Sequence, residues 1–259
     1  VKGTEFNDII SSEGVSFHQR LWGNGGDDTI TGGDGDDIIK GGDGDDIIRG
    51  GDGDDVLYTG SGDDFLYGEE GNDTLISNGG GSQTLDGGSG QDWFRQDLTN
   101  YDPTNRNINY PQIVEIDLAR GLAGQKDNPN RQETLISIEN IDYRGTIASE
   151  LTGNSEANTI LGGNGNDIIR GGAGDDTLYT GDGDDFVYGE AGNDTLVADG
   201  SGSQTLDGGS GSDWFRLDLT NYDPSQLSDN YPTVVEVDLD RGISGQKDNP
   251  NRQETLISI

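Results

Sequence analysis

Asp28, Asp37, Asp46, Asp55, Asp64 and Asp73 stand nine residues apart, each behind a glycine-rich run. Three abutting copies at 32–58, GGDGDDIIK, GGDGDDIIR and GGDGDDVLY, define the phrase as Gly-Gly-x-Gly-x-Asp-x-apolar-x. Glycines at positions 1, 2 and 4 permit tight turns with positive φ. Without side chains there, backbone carbonyls can crowd toward a common centre. The Asp at position 6 adds a carboxylate to that centre. A flexible set of many oxygens suits Ca²⁺ better than Mg²⁺.

Short strands must hold these loops. Positions 7 to 9 surround one apolar residue, so position 8 points inward: Ile30, Ile39, Ile48, Leu57, Leu66 and Leu75. One nonapeptide buries nothing alone. Two make a coil, and stacked coils make two parallel sheets with a thin core between them and loops stacked along both edges.

The phrase resembles the RTX (repeats-in-toxin) nonapeptide of the hemolysin-type calcium-binding family. The resemblance is close over the two nonapeptide blocks and loose over the segments that link them. It implies an all-β chain: a parallel β-roll, or β-solenoid, with two nonapeptides per coil, interrupted by looser β segments. It implies Ca²⁺ held by the position-6 carboxylates Asp28, Asp37, Asp46, Asp55, Asp64, Asp73, Asp92, Asp167, Asp176, Asp185, Asp194 and Asp213. Loop carbonyls complete the ligand set: Gly32, Asp34, Gly41, Asp43, Gly50 and Asp52 in the first block, and Gly162, Asn164, Gly171 and Ala173 in the second.

Composition agrees with a metal requirement. The chain has 259 residues, a formal charge of −35, 45 glycines, 29% apolar residues and no Cys or Met. Such a chain buries too little to offset its conformational entropy without a cofactor. Roughly ten Ca²⁺, two per coil, would cancel about 20 charges and leave a soluble polyanion. Charge repulsion argues against a nucleic-acid partner. No apolar run is long enough to span a bilayer. The absence of Cys is compatible with secretion.

In chain order, residues 1–22 hold a degenerate repeat, with Asp8 and Ile10 at positions 6 and 8, then an irregular stretch carrying His18 and Trp22. With no Cys and no second His to complete a site, His18 reads as a surface residue. The first roll block spans 23–95. Its outward aromatics, including Tyr58, Phe65 and Tyr67, are expected to form a ladder on one sheet. SNGGGSQTLD at 77–86 breaks the period by one and lacks the Asp, so no ion is expected there. Trp93 is expected to cover the roll where the loops change.

Residues 96–143 form a linking β segment. QIVEIDLARG alternates like a half-buried strand, ETLISIENIDYRG holds a second, and a polar loop separates them. The expectation is a continuing solenoid with wider loops and no ions, with a small β-sandwich insertion as the alternative. The second roll block spans 144–216, with Asn158 replacing the first Asp, and 217–259 is a second linking segment, cut short. Residue n resembles residue n + 121 over 32–138: Trp93 matches Trp214, and GQKDNPNRQETLISI recurs unchanged. Ending inside a strand pattern, the chain reads as a piece of a longer protein.

No catalytic centre is legible. Neighbouring carboxylates occur everywhere, and an adjacent Ca²⁺ would lower rather than raise their pKa. No G-x-S-x-G elbow, Walker lysine or in-register EF-hand appears. No enzyme activity is therefore expected of the chain. The leading expectation is a structural module of a larger secreted or cell-surface protein that folds when Ca²⁺ fills it outside the cell. The resemblance adds type I secretion in the unfolded state, directed by a C-terminal signal that is not in this chain; from the residues themselves, no membrane insertion by this segment is expected. One alternative is a carbohydrate- or surface-binding adhesin module using Trp93, Tyr101, Tyr110, Trp214, Tyr222 and Tyr231. Another is an appendage of a secreted lipase, protease or epimerase.

Overall fold

The computed structural model describes residues 1–78, 80–98, 113–126 and 132–218. It also gives the backbone of three later strands, Val235–Asp238, Ile243–Gln246 and Gln253–Ile257. The tyrosines expected to bind a ligand (Tyr101, Tyr110, Tyr222, Tyr231) lie outside the described residues, as does most of the polar linking loop. The chain divides into two compact units, Val1–Arg144 and Gly145–Ile259. Among the described residues every regular element is a strand.

The first unit is a parallel β-roll. One sheet stacks Ile9–Ser11, Thr29–Asp34, Ile47–Asp52, Phe65–Glu70, Thr84–Ser89 and Gln132–Ile136. The other stacks Arg20–Gly25, Ile38–Asp43, Val56–Ser61, Thr74–Ser77, Trp93–Asp97 and Asn140–Arg144. Strands alternate between sheets, so each pairs with the strand one coil away. Ile30 lies beside Ile48 and Ile39 beside Leu57, a shift of eighteen residues. This register follows from the period: nine residues return the same phrase to the opposite sheet, and eighteen to the same one.

Register builds the core as two columns of like side chains. Ile30, Ile48, Leu66 and Leu85 form one; Leu21, Ile39, Leu57, Leu75, Phe94 and Ile141 form the other, and all are fully buried. Each contributes about 1.5–3 kcal/mol. A coil offers only two of them, far too little to offset the ordering of its chain. Backbone bonds between coils add to this: the Ile47, Val56 and Phe65 N–H groups donate to the Asp28, Asp37 and Asp46 carbonyls at 2.8–2.9 Å.

The second unit repeats the plan. Ser149–Thr152, Ile168–Ala173, Phe186–Ala191 and Thr205–Asp207 stack in one sheet; Thr159–Leu161, Thr177–Tyr179, Thr195–Ala198 and Trp214–Leu217 stack in the other.

The linking segment is half solenoid and half ribbon. Gln132–Ile136 pairs in parallel with Thr84–Ser89, and Asn140–Arg144 with Trp93–Asp97, so the roll does continue. Ahead of them, Val114–Asp117 and Leu122–Gln125 run antiparallel and extend the sheet sideways. The second of these strands lies in a stretch with one large apolar residue, Leu122, so alternation gives no sign of it. The second unit repeats this antiparallel arrangement with Val235–Asp238 and Ile243–Gln246.

The segment 12–22, irregular by sequence, ends inside the roll. Leu21 is fully buried at a position-8 place, and Gln19 stands at position 6 with its N–H on Asp37 Oδ1 at 2.6 Å.

Candidate metal centre

The loops place the position-6 residues in two stacks per unit. Asp28, Asp46 and Asp64 share one edge of the first roll, and Asp37, Asp55, Asp73 and Asp92 the other. All are essentially inaccessible, as are Asp167, Asp176, Asp185 and Asp194; Asp213 is half-buried. The two carboxylate oxygens have different surroundings. Oδ1 accepts the N–H of the position-6 residue one coil earlier: Asp28 N–H to Asp46 at 2.8 Å, Asp37 to Asp55 at 2.6 Å, Asp55 to Asp73 at 2.7 Å and Asp176 to Asp194 at 2.9 Å.

Oδ2 is left without a hydrogen-bond partner at Asp28, Asp37, Asp46, Asp55, Asp64, Asp73, Asp92, Asp176, Asp185 and Asp194. A buried carboxylate oxygen with nothing to bond costs several kcal/mol. Each of several such oxygens faces a second one. At Gly32 an added Cβ would run into Asp37 Oδ2 and the Gly50 carbonyl. At Gly23 it would meet Asp28 Oδ2 and the Gly41 carbonyl, and at Gly41, Asp46 Oδ2 and the Thr59 carbonyl. Position 1 is glycine in these repeats because the space beside it holds converging oxygens; Thr59 and Thr180 take that position ahead of Asp64 and Asp185.

Burial, reinforced by neighbouring carboxylates, pushes Asp46 and Asp73 up to about 7 and Asp55 to about 8. Asp176 rises to about 7 for the same reasons. Carboxylates held at such values without a cation need positive charge to ionise at neutral pH. The donor set is therefore that of a hard divalent cation: one carboxylate oxygen and loop carbonyls from consecutive coils. It fits Ca²⁺.

Of the carbonyls expected as ligands, those of Gly41, Gly50 and Gly171 join a cradle, facing the side chains of Asp28, Asp37 and Asn158. Gly32 and Gly162 hold the same position-1 place in their own repeats. The position-3 residues Asp34, Asp43, Asp52 and Ala173 end strands with exposed side chains, and the exposed Asn164 stands at the same place. The Asp52 carbonyl accepts the Gly35 N–H at 2.6 Å, so position 3 takes part in the loop-to-loop backbone ladder.

Two members of the second block depart from the pattern. Asp167 Oδ2 accepts the Gly163 N–H at 3.1 Å, and its Oδ1 accepts both the N–H and hydroxyl of Ser149. Asn158 Oδ1 accepts the Asn154 N–H at 2.8 Å.

Three features escaped sequence reading. Glu139, in the linking segment, stands where the next position-6 residue belongs and accepts the Asp92 N–H at 2.8 Å. The Ser137 carbonyl faces Asp92 beside Gly87. The signal was present: Glu139 precedes Ile141 by two, the spacing of positions 6 and 8. Position 5 also bonds between coils, in the opposite sense: Asp27 Oδ1 accepts the Asp45 N–H and Asp45 Oδ1 the Asp63 N–H. Asp recurs at that place in the sequence without any ligand role. Outside the loops, burial pushes Glu133 up to about 7, while the Ser77 hydroxyl donates to it at 2.5 Å.

His18 is exposed, with Nδ1 2.9 Å from the Asp36 carbonyl, as a surface residue should be. Trp93 is half-buried at position 7, and Trp214 is 72% exposed. Lys40 stacks over Tyr58 on one sheet, Arg49 over Tyr67 on the other and Arg170 over Tyr188 in the second unit, so the expected ladder on one sheet is replaced by separate cation–ring pairs on both.

A family model described as the RTX calcium-binding nonapeptide repeat matches residues 13–48, 22–57, 40–75, 49–82, 152–187, 161–196 and 199–218. Together these segments cover more than half of the chain. No curated protein sequence matches it. Among solved structures, the chain is similar to the extracellular lipase LipA from Serratia marcescens, with 19% identity and a TM-score of 0.29. The match takes in 92% of this chain and 38% of the lipase.

Proposed function

The chain belongs to the RTX calcium-binding nonapeptide-repeat family, and we propose that it is a calcium-dependent structural module of a larger secreted or cell-surface protein. Its position-6 carboxylates and loop carbonyls hold about ten Ca²⁺ or fewer, and calcium is the folding switch. One observation carries this reading: a row of fully buried Asp oxygens without partners, facing carbonyls across glycines. Binding only to the folded chain stabilises it by RT ln(1 + [L]/Kd) at each site, and many sites add. Cytosolic calcium is too scarce to fill weak sites, whereas extracellular calcium is sufficient. RTX-repeat proteins are typically secreted by a type I route, which agrees with a chain that stays unfolded until it is outside.

The module's work is mechanical: it folds, stiffens and spaces. The test is far-UV circular dichroism of the chelated chain during calcium titration, with Mg²⁺ as control. A cooperative coil-to-β transition at roughly 0.1–1 mM Ca²⁺, absent with Mg²⁺, is expected. A chain already fully β after chelation would sink the folding-switch reading.

A second reading, calcium-dependent binding of a carbohydrate or another surface, draws on the exposed Trp214 ring. Glycan binding that disappears in Trp214→Ala while the calcium-induced fold persists would favour it.

A further inference from the structure

One repeat in each unit is ten residues long instead of nine: 77–86 in the first and 198–207 in the second. In both, position 6 is glutamine. Gln83 and Gln204 are as buried as the aspartates they replace. Gln83 follows Asp46 and Asp64 in one stack, with Glu133 next in register, and Gln204 follows Asp167 and Asp185.

Their amides do the same thing in both units. Gln83 Nε2 donates to the carbonyl of Gly62 in the preceding coil at 3.1 Å and to Gly80 in its own loop at 3.4 Å. Gln204 Nε2 donates to Gly183 at 3.0 Å and Ser201 at 3.2 Å. The Gln204 amide also offsets part of the burial-driven rise of the Asp185 carboxyl. An ionised Asp accepts hydrogen bonds only and could make neither bond. One methylene more and an NH₂ group turn the position from one that needs a cation into one that supplies donors.

We propose that Gln83 and Gln204 stand in for an ion: from the position-6 place their amides satisfy loop carbonyls directly, so that the ten-residue repeat of each unit takes no metal. This rests on the calcium-module reading above. In that reading the extra residue and the glutamine act together. The longer loop lets the amide fold back between two loop carbonyls, and the repeat no longer needs calcium to satisfy them.

The test counts calcium bound to the whole chain, by equilibrium dialysis at saturating Ca²⁺. Gln83→Asp and Gln204→Asp should each add one bound ion, and the double variant two. Gln83→Leu should leave the count unchanged while lowering Tm at saturating calcium. Aspartate variants that fold and gain no ion would overturn the proposal. So would loss of an ion in Gln83→Leu, which would make the buried Oε1 a ligand. Should an aspartate variant fail to fold, side-chain amide exchange in the native calcium-bound chain decides. Two slowly exchanging Gln NH₂ pairs are expected, and exchange as fast as in free glutamine would refute the assignment. If the native chain binds no calcium at all, the calcium-module reading falls first, and the amide exchange still reports on the glutamines separately.

Discussion

The two roll blocks are written in the same phrase, and the second is less committed to metal than the first. From Asp28 to Asp73 every position-6 carboxylate keeps a buried oxygen without a partner. The second block opens with Asn158 and Asp167, whose oxygens already accept N–H groups from within their own loops, at Asn154 and Gly163. Only from Asp176 onward does the first block's geometry return. The motif is thus necessary for an ion site but not sufficient. What decides is whether the loop turns its own N–H groups onto the carboxylate or leaves it facing the carbonyl of the next coil. GGNGNDIIR and GGDGDDIIR differ at two letters, and Asp167 and Asp46 end in different surroundings.

Calcium removal should give the largest effect and separate the blocks. In hydrogen exchange read by mass spectrometry at falling calcium, both blocks lose protection, and 145–176 does so at a higher concentration than 32–76. Simultaneous loss would mean that the ions are coupled across the chain and that local geometry does not matter.

The pH dependence comes next. The buried carboxyls of the calcium-free roll are raised toward 7–8, above their ordinary value. The calcium-free folded form therefore binds more protons than the unfolded chain between about pH 4 and 7, and its stability falls as pH rises through that window. Calcium must displace those protons. Its affinity should drop by at least about tenfold from pH 8 to pH 6, with proton release in titrations run in buffers of different ionisation enthalpy. An affinity flat over that range would contradict the burial argument.

Single substitutions sharpen the contrast. Asp55→Asn, in the middle of the first block, should raise the calcium midpoint by about tenfold, about 1.4 kcal/mol. Asp167→Asn should change it less than about twofold, below about 0.4 kcal/mol. Circular dichroism titrations of the two variants compare them directly. Asn158→Asp should leave the number of bound ions unchanged by equilibrium dialysis, because the Asn154 N–H already sits on that side-chain oxygen as the Gly163 N–H does at Asp167. The smallest effect belongs to the outer face: Arg49→Ala removes an exposed pair with Glu69 and a stack on Tyr67, and should shift stability by only about 0.5–1 kcal/mol in thermal melts at saturating calcium.

Much of this was legible in the letters. A nine-residue period with one apolar residue at position 8 leaves few alternatives to stacked coils, and the inward columns fall where it puts them. The position-6 aspartates are buried in the loops as the phrase requires. What stayed hidden depends on where atoms meet rather than on spacing. Asp167 matches the motif, yet its loop provides an N–H group. Glu139 breaks the motif, yet the linking segment returns it to the stack above Asp92. The ribbon strand Leu122–Gln125 is held by its neighbours' backbone, which composition does not record.

The most direct test is calcium-anomalous diffraction from crystals of the chain grown in calcium. The account predicts peaks beside the Oδ2 atoms from Asp28 to Asp73 and of Asp92, Asp176, Asp185 and Asp194, with none at Asn158, Asp167, Gln83 or Gln204. Peaks only at exposed carboxylates, with the buried Oδ2 atoms bare, would contradict it.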